Sequence, residues 1–287
     1  MKKFVAMLLA VLTITAILAG CGSSTPNAED SASGEIKTVT PGVLTVATSP
    51  DFSPMEFIDP TKEGQEMYVG FDITLAKHIA DSLGLQLQIM PMSFDACSTA
   101  VYTGTADLAI SGFSWKEDRA ENYNLSDYYH AGDNEDKQVL ITLASNGDKF
   151  ATAEGLKDAK IGAQNSSLQQ SLAEEQLTES KLSLFTDLGN GVLQLKAGDF
   201  DCIAVANGNA DAIIASNPEI AKSGFEFEVD EKYTGNVVMA KKGADDLIEA
   251  VNKVLADSKD QWDTWYAEAK AISGIEQSYD DNGNAAN

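Results

Sequence analysis

Positive charge, cysteine and histidine are all scarce in this chain. Its 287 residues carry 20 Lys and Arg against 44 Asp and Glu, a formal charge of −24 at neutral pH, with three cysteines and two histidines. A body this acidic repels nucleic acid and anionic lipid, so neither is expected as a partner of its surface. Neither His78 nor His130 stands in a cluster of carboxylates or thiols, so no metal site is expected. Cys97 falls in a helical pattern and Cys202 in a strand pattern. Both read as small core residues rather than as a disulfide framework. The sequence has no phosphate loop, dinucleotide fingerprint or catalytic triad, and no cofactor is expected. Beyond residue 18 no run is apolar for long enough to cross a bilayer.

The beginning of the chain is distinctive. Met1-Lys2-Lys3 is a short basic start, and residues 4–18 form an apolar run too short to span a membrane comfortably. Leu18-Ala19-Gly20-Cys21 then places small residues directly before a cysteine. This order resembles the lipobox of bacterial lipoproteins. It implies removal of residues 1–20, lipidation of the Cys21 thiol, and anchorage on the outer face of the cell membrane. Residues 21–40 are rich in Ser, Thr, Gly, Ala and acids, too polar to repay ordering, and read as a flexible tether. Residues 274–287 have the same character and read as a disordered tail.

Between these ends, apolar runs and amphipathic patterns alternate. Residues 44–48 read as a strand. Phe71, Leu75, Ala76, Ile79, Ala80 and Leu83 share one helical face that Gly84 ends. Strands at 85–89 and 107–110 enclose a helix at 93–102. The scheme recurs with strands at 160–164, 182–186 and 201–205 and helices at 168–177 and 190–196. Two similar turns, Gly104-Thr-Ala-Asp107 and Gly198-Asp-Phe-Asp201, lead from helix to strand in the two series. Repeated β-α-β-α-β order predicts two α/β lobes, each with a mainly parallel sheet flanked by helices. A further strand is expected at 235–240, then a helix with Leu247, Ile248, Val251, Val254 and Leu255 on its apolar face. Trp262, Trp265 and Tyr266 read as core anchors of a terminal helix.

The richest stretch is residues 107–119. An apolar strand ends in Ser111-Gly112-Phe113-Ser114, and Arg119 follows five residues later. Such a strand end is expected to offer free N–H groups and hydroxyls, glycine permits close approach, and a guanidinium adds a planar fork of donors. Together they predict a receptor for a carboxylate.

With Val46-Ala-Thr-Ser-Pro-Asp-Phe-Ser-Pro-Met-Glu-Phe57, Val69-Gly-Phe-Asp-Ile-Thr-Leu-Ala76, Pro91-Met-Ser-Phe-Asp95 and Leu125-Ser-Asp-Tyr-Tyr129, this stretch resembles the amino-acid-binding proteins of ABC importers, the extracellular solute-binding proteins of family 3. The likeness spans residues 42–273. It implies a type II periplasmic-binding-protein fold in the α/β class. Residues 41–131 and 236–273 would form lobe 1 and residues 132–235 lobe 2, joined by two hinge strands. It further implies a monomer that closes on a small ligand, serves an ABC permease and catalyses nothing.

By the same resemblance Arg119 pairs with the ligand carboxylate, beside Ser111, Gly112 and Ser114. Phe52 and Phe94 match aromatic positions that pack on the ligand, although each could be a plain core ring. Ser49 and Asp51 share the Phe52 loop, where Asp51 could equally be a turn residue. In lobe 2, Ser167 keeps a hydroxyl position at a helix N-terminus and Gln169 faces the ligand side chain. The chain departs from the family at Ala206, where an aspartate usually takes the α-ammonium. Either Asn207 or Asp51 replaces it, or the ligand is a small carboxylate without an ammonium. The expected ligand is a polar or neutral amino acid. A sensor, or an enzyme of the same fold using Glu56, is the alternative.

Overall fold

The computed structural model describes residues 36–130 and 137–273. The signal segment, Cys21, residues 22–35 and the tail from residue 274 lie outside them. The buried run β1 (Val43–Thr48) is followed by three short strands, β2 (Asp51–Phe52), β3 (Glu56–Ile58) and β4 (Tyr68–Val69), which form a small antiparallel sheet. Next comes α1 (Phe71–Ser82), which buries Phe71, Leu75, Ala76, Ile79 and Ala80 on one stripe, as its spacing predicts. It is followed by β5 (Gln86–Pro91), α2 (Phe94–Thr103), β6 (Leu108–Ala109), α3 (Glu117–Asn122) and β7 (Tyr123–Leu125).

A second series begins at β8 (Gln138–Leu143) and continues through β9 (Lys160–Gln164), α4 (Leu168–Gln176), β10 (Lys181–Phe185) and α5 (Leu188–Ala197). It ends with β11 (Cys202–Ala206), α6 (Asn207–Ser216) and β12 (Ile220–Glu226). The chain finishes with β13 (Met239–Lys241), α7 (Asp245–Ser258) and α8 (Trp262–Ser273).

The two lobes have matching sheets. One runs β5-β1-β6-β13-β7 and the other β10-β9-β11-β8-β12. In each, three strands are parallel and the fourth and fifth positions bring antiparallel pairing. The sheets are therefore mixed, with the expected parallel strands on one side and antiparallel pairs on the other. The first lobe takes its fourth strand from the far end of the chain, and the second takes its own from β8. The chain thus passes between lobes twice. No strand was expected at β8, and the segment expected as one strand at 235–240 is regular only in β13. Upstream of β13, Asn236 forms single bridges to both Ser114 and Tyr129, and the Val237 N–H donates to the Phe113 carbonyl at 2.8 Å.

The repeated turn has one physical role in both lobes. Gly104 and Gly198 end their helices at φ 77° and 81°, the left-handed region that glycine tolerates. The aspartate three residues on then receives N–H groups from the start of the neighbouring strand. Asp107 accepts from Thr45 at 2.8 Å and from Val39 at 2.6 Å, and Asp201 accepts from Lys160 at 2.9 Å. At the C-terminus, Trp265 packs on Phe71 and His78, and α8 closes the core of the first lobe. Cys97 and Cys202 are buried free thiols, as expected. Among the described residues no helix is long and apolar enough to cross a membrane, and no metal-ligand cluster is found.

Candidate functional site

The end of β6 meets the β2 loop at the mouth of the first lobe. Gly112 has φ +57°, and a Cβ there would lie 2.7 Å from the Phe52 ring, so conformation and space both demand glycine. The expectation of open donors at this strand end needs correction. The Gly112 N–H donates to Asp72 Oδ2 at 2.8 Å. The Ser111 hydroxyl donates to Glu56 Oε1 at 2.6 Å while accepting the Ser49 N–H at 2.9 Å. These groups are committed to the buried acids Glu56 and Asp72, and they fix the shape of the floor rather than offering donors to solvent.

The cation stands above that floor. Arg119 on α3 is only 4% exposed and lies over the rings of Phe94 and Phe113, at 5.6 and 5.0 Å. Its guanidinium donates to the Ser114 carbonyl and, across the lobes, to the Ser166 carbonyl at 2.8 Å. Burial lowers its pKa to about 10, which leaves it charged at neutral pH. No ion pair among the described residues includes it. A buried guanidinium held only by neutral carbonyls is costly unless an anion joins it.

Ser111, Gly112, Ser114, Phe52, Phe94, Asp51, Ser167 and Gln169 line one cavity with Arg119. Ser167 caps α4 by accepting the Gln170 N–H, and Gln169 donates to Gln138 Oε1 at 2.6 Å. Among the described residues Asp51 is the only carboxylate on the cavity wall. It accepts from Ser49 at 2.8 Å, Gln164 at 3.1 Å and the Leu188 N–H at 2.7 Å. Desolvation raises its pKa, with the Leu188 hydrogen bond opposing. Ser49 itself is not on the wall and acts by orienting Asp51.

Asn207 stands apart. As the first residue of α6 it turns toward β12, where its Oδ1 accepts the Lys222 ammonium at 2.7 Å, and it is not on the wall. Ala206 does line the cavity, and its register partner on β8 is the buried Gln138. Gln138, Tyr233, Thr234 and Asn236 complete the wall without having been anticipated. Asn236 lies in the expected second crossing and could have been read from it. Gln138 belongs to the unanticipated strand β8. Trp115 lines a different groove beside α3 and α7.

Two mixed α/β lobes clasped around a polar cavity with a buried, anion-seeking guanidinium define a binding protein for a small carboxylate. The sequence model of bacterial extracellular solute-binding proteins, family 3, matches residues 44–268, and the chain belongs to that family. It is a solute-binding protein and not an enzyme. The "Probable histidine-binding protein" of Campylobacter jejuni is 28% identical over 259 residues, covering 90% of this chain and 94% of that one. A solved structure of the amino acid ABC transporter substrate-binding protein AbpA from Streptococcus pneumoniae, bound to L-arginine, is similar with a TM-score of 0.74 at 33% identity. That likeness covers 81% of this chain and 96% of that one. An ancestral arginine-binding protein bound to glutamine is similar with a TM-score of 0.71 at 29% identity, over 80% and 98% of the two chains.

Proposed function

We propose that this protein captures an α-amino acid outside the cell membrane and delivers it to an ABC permease. Arg119 carries the reading. Its guanidinium is buried on the cavity wall with no carboxylate partner among the described residues, and a ligand α-carboxylate supplies one. Ser114 and Ser167 stand on the same wall. Residues 41–131 and 236–273 are one lobe and residues 132–235 the other. The lobes close as a monomer, tethered by lipid on Cys21.

Beside Arg119 the wall carries Phe52, Phe94, Gln138, Gln164, Gln169 and Asp51. Flat rings and acceptor oxygens suit a planar side chain bearing N–H groups. Imidazole, guanidinium and carboxamide share that form, and histidine, arginine and glutamine are what the similar proteins bind. The ligand class is therefore planar and polar and takes in cationic side chains, where the sequence suggested a polar or neutral one. Asn207 is engaged by Lys222, which leaves Asp51 as the carboxylate for the α-ammonium.

A thermal-shift panel on the mature chain, with all amino acids and their deaminated analogues, tests this. Stabilisation by arginine, histidine or glutamine supports the reading. Stabilisation only by acids without an α-ammonium overturns it.

A further inference from the structure

Directly beneath the cavity floor lie two fully buried carboxyl groups, Glu56 on β3 and Asp72 on α1. Two of their four oxygens are held by that floor and its support. Glu56 Oε1 accepts the Ser111 hydroxyl at 2.6 Å, and Asp72 Oδ2 accepts the Gly112 N–H at 2.8 Å and the Tyr129 hydroxyl at 2.9 Å. The other two, Glu56 Oε2 and Asp72 Oδ1, are buried and meet no donor among the described residues. The two carboxyls hold adjacent residues, Ser111 and Gly112, and so lie side by side under one strand end, each acting on the other's charge. Two buried carboxylates in contact cannot both stay ionised, and one proton between their unsatisfied oxygens provides the donor that each lacks.

We propose that Glu56 and Asp72 share one proton, carried on Glu56 Oε2 and donated to Asp72 Oδ1, and that this singly charged pair positions Ser111 and Gly112 for ligand binding. Asp72 is the better seat for the charge because two donors converge on its Oδ2, whereas Glu56 receives one hydroxyl. Burial, then the charge of Asp72, holds Glu56 well above the ordinary carboxylate range. Burial pushes Asp72 up to about 7 against the Gly112 and Tyr129 hydrogen bonds. The other titratable groups facing the pair are Asp51 on β2, the Tyr129 hydroxyl and the Cys97 thiol on α2, with His130 packed on the neighbouring Phe71 ring. Loss of the shared proton sets two charges against each other and releases the floor residues. Glu56 and Asp72 are thus positioning residues that act through Ser111 and Gly112. This role in binding rests on the function proposed above.

Infrared spectroscopy of the mature chain at pH 8, where exposed carboxylates are ionised, tests the shared proton without any ligand. The wild type is expected to show the carbonyl stretch of a neutral carboxylic acid, and Glu56→Gln to lose it, because the glutamine amide donates to Asp72 in its place. Asp72→Asn, which keeps the donor count by the opposite swap, serves if that variant folds poorly. A wild type without the band, or Glu56→Gln retaining it, overturns the assignment. The positioning role is read with a ligand from the panel. Glu56→Gln should bind within about threefold of wild type at pH 7.5 and lose less affinity than wild type as the pH rises to about 9.5, while Glu56→Ala should lose roughly tenfold or more. Parallel decline of wild type and Glu56→Gln overturns that role. Because the infrared arm needs no ligand, it stays readable if the amino-acid reading fails.

Discussion

The carboxylate of Asp51 and the backbone N–H of Leu188 meet at 2.7 Å, joining a β2 residue of the first lobe to the N-terminus of α5 in the second. The same Asp51 oxygen accepts from Gln164 on β9. One side chain thus borders the cavity and latches the lobes. A charge-assisted bond to a helix N-terminus gains from the helix dipole. It is one of several bonds between the lobes. Asn165 donates to Asp95 at 3.1 Å, Asn209 donates to the Ser53 carbonyl at 2.8 Å, and Lys232 reaches Glu117 at 2.6 Å.

Asp51→Ala is expected to weaken ligand affinity by about 1–3 kcal/mol through the stranded Leu188 N–H and the lost acid. Small-angle scattering of the ligand-saturated variant should show a larger radius of gyration than wild type. Unchanged affinity and dimensions would remove Asp51 from the latch.

Gly112→Ala places a Cβ against the Phe52 ring in a backbone region that side chains rarely adopt. It should cost about 1–3 kcal/mol of stability and shift the floor under the ligand. Phe52→Ala in the same chain should recover only the steric part, leaving the conformational part, as a denaturant-unfolding cycle of the four proteins would show.

Stability should fall as the pH rises from about 4 toward 7. Asp72 is pushed up from 3.8 to about 7 and Glu56 higher still, so as the pH falls below 7 the folded pair adds a second proton to the shared one, and over that window the folded state holds protons that the unfolded state has released. By linkage the protonated-state stabilisation is fully present below the unfolded values and is lost as the pH passes the folded ones. Denaturant unfolding of wild type and Asp72→Asn across this range should show a shallower decline in the variant.

Ala206→Asp should raise the preference for α-amino acids over their deaminated analogues, since it sets an acid on the wall beside Gln138. Competition binding with one amino acid and its deaminated partner reads the ratio directly. A preference no greater than that of wild type would show that the α-ammonium lies elsewhere.

Much of this was readable from local chemistry. Gly104 with Asp107 and Gly198 with Asp201 announced the paired lobes because a helix stop and a strand-start acceptor are local demands. Arg119 stood out because a guanidinium five residues beyond Ser114 adds donors to a strand end, but an arginine there could equally lie on a helix surface, and its burial comes only with the fold. The antiparallel strands were harder. β7 and β13 pair across 113 residues of intervening chain, and that partnership leaves no periodic mark in either. Gln138 and Asn236 reach the cavity only through such long-range pairings. The Gly112 N–H looked available in sequence because its acceptor, Asp72, comes from a helix 40 residues earlier.

The central claim is that Arg119 holds the ligand α-carboxylate. Calorimetric titration of the mature wild type with the best ligand from the panel, and with the same ligand as its α-carboxamide, tests it most directly. Removing one partner of a buried ion pair costs about 3–5 kcal/mol, so the amide should bind more than a hundredfold more weakly. Equal affinity for acid and amide would mean that the guanidinium does not meet the carboxylate, and the site would have to be assigned to another ligand.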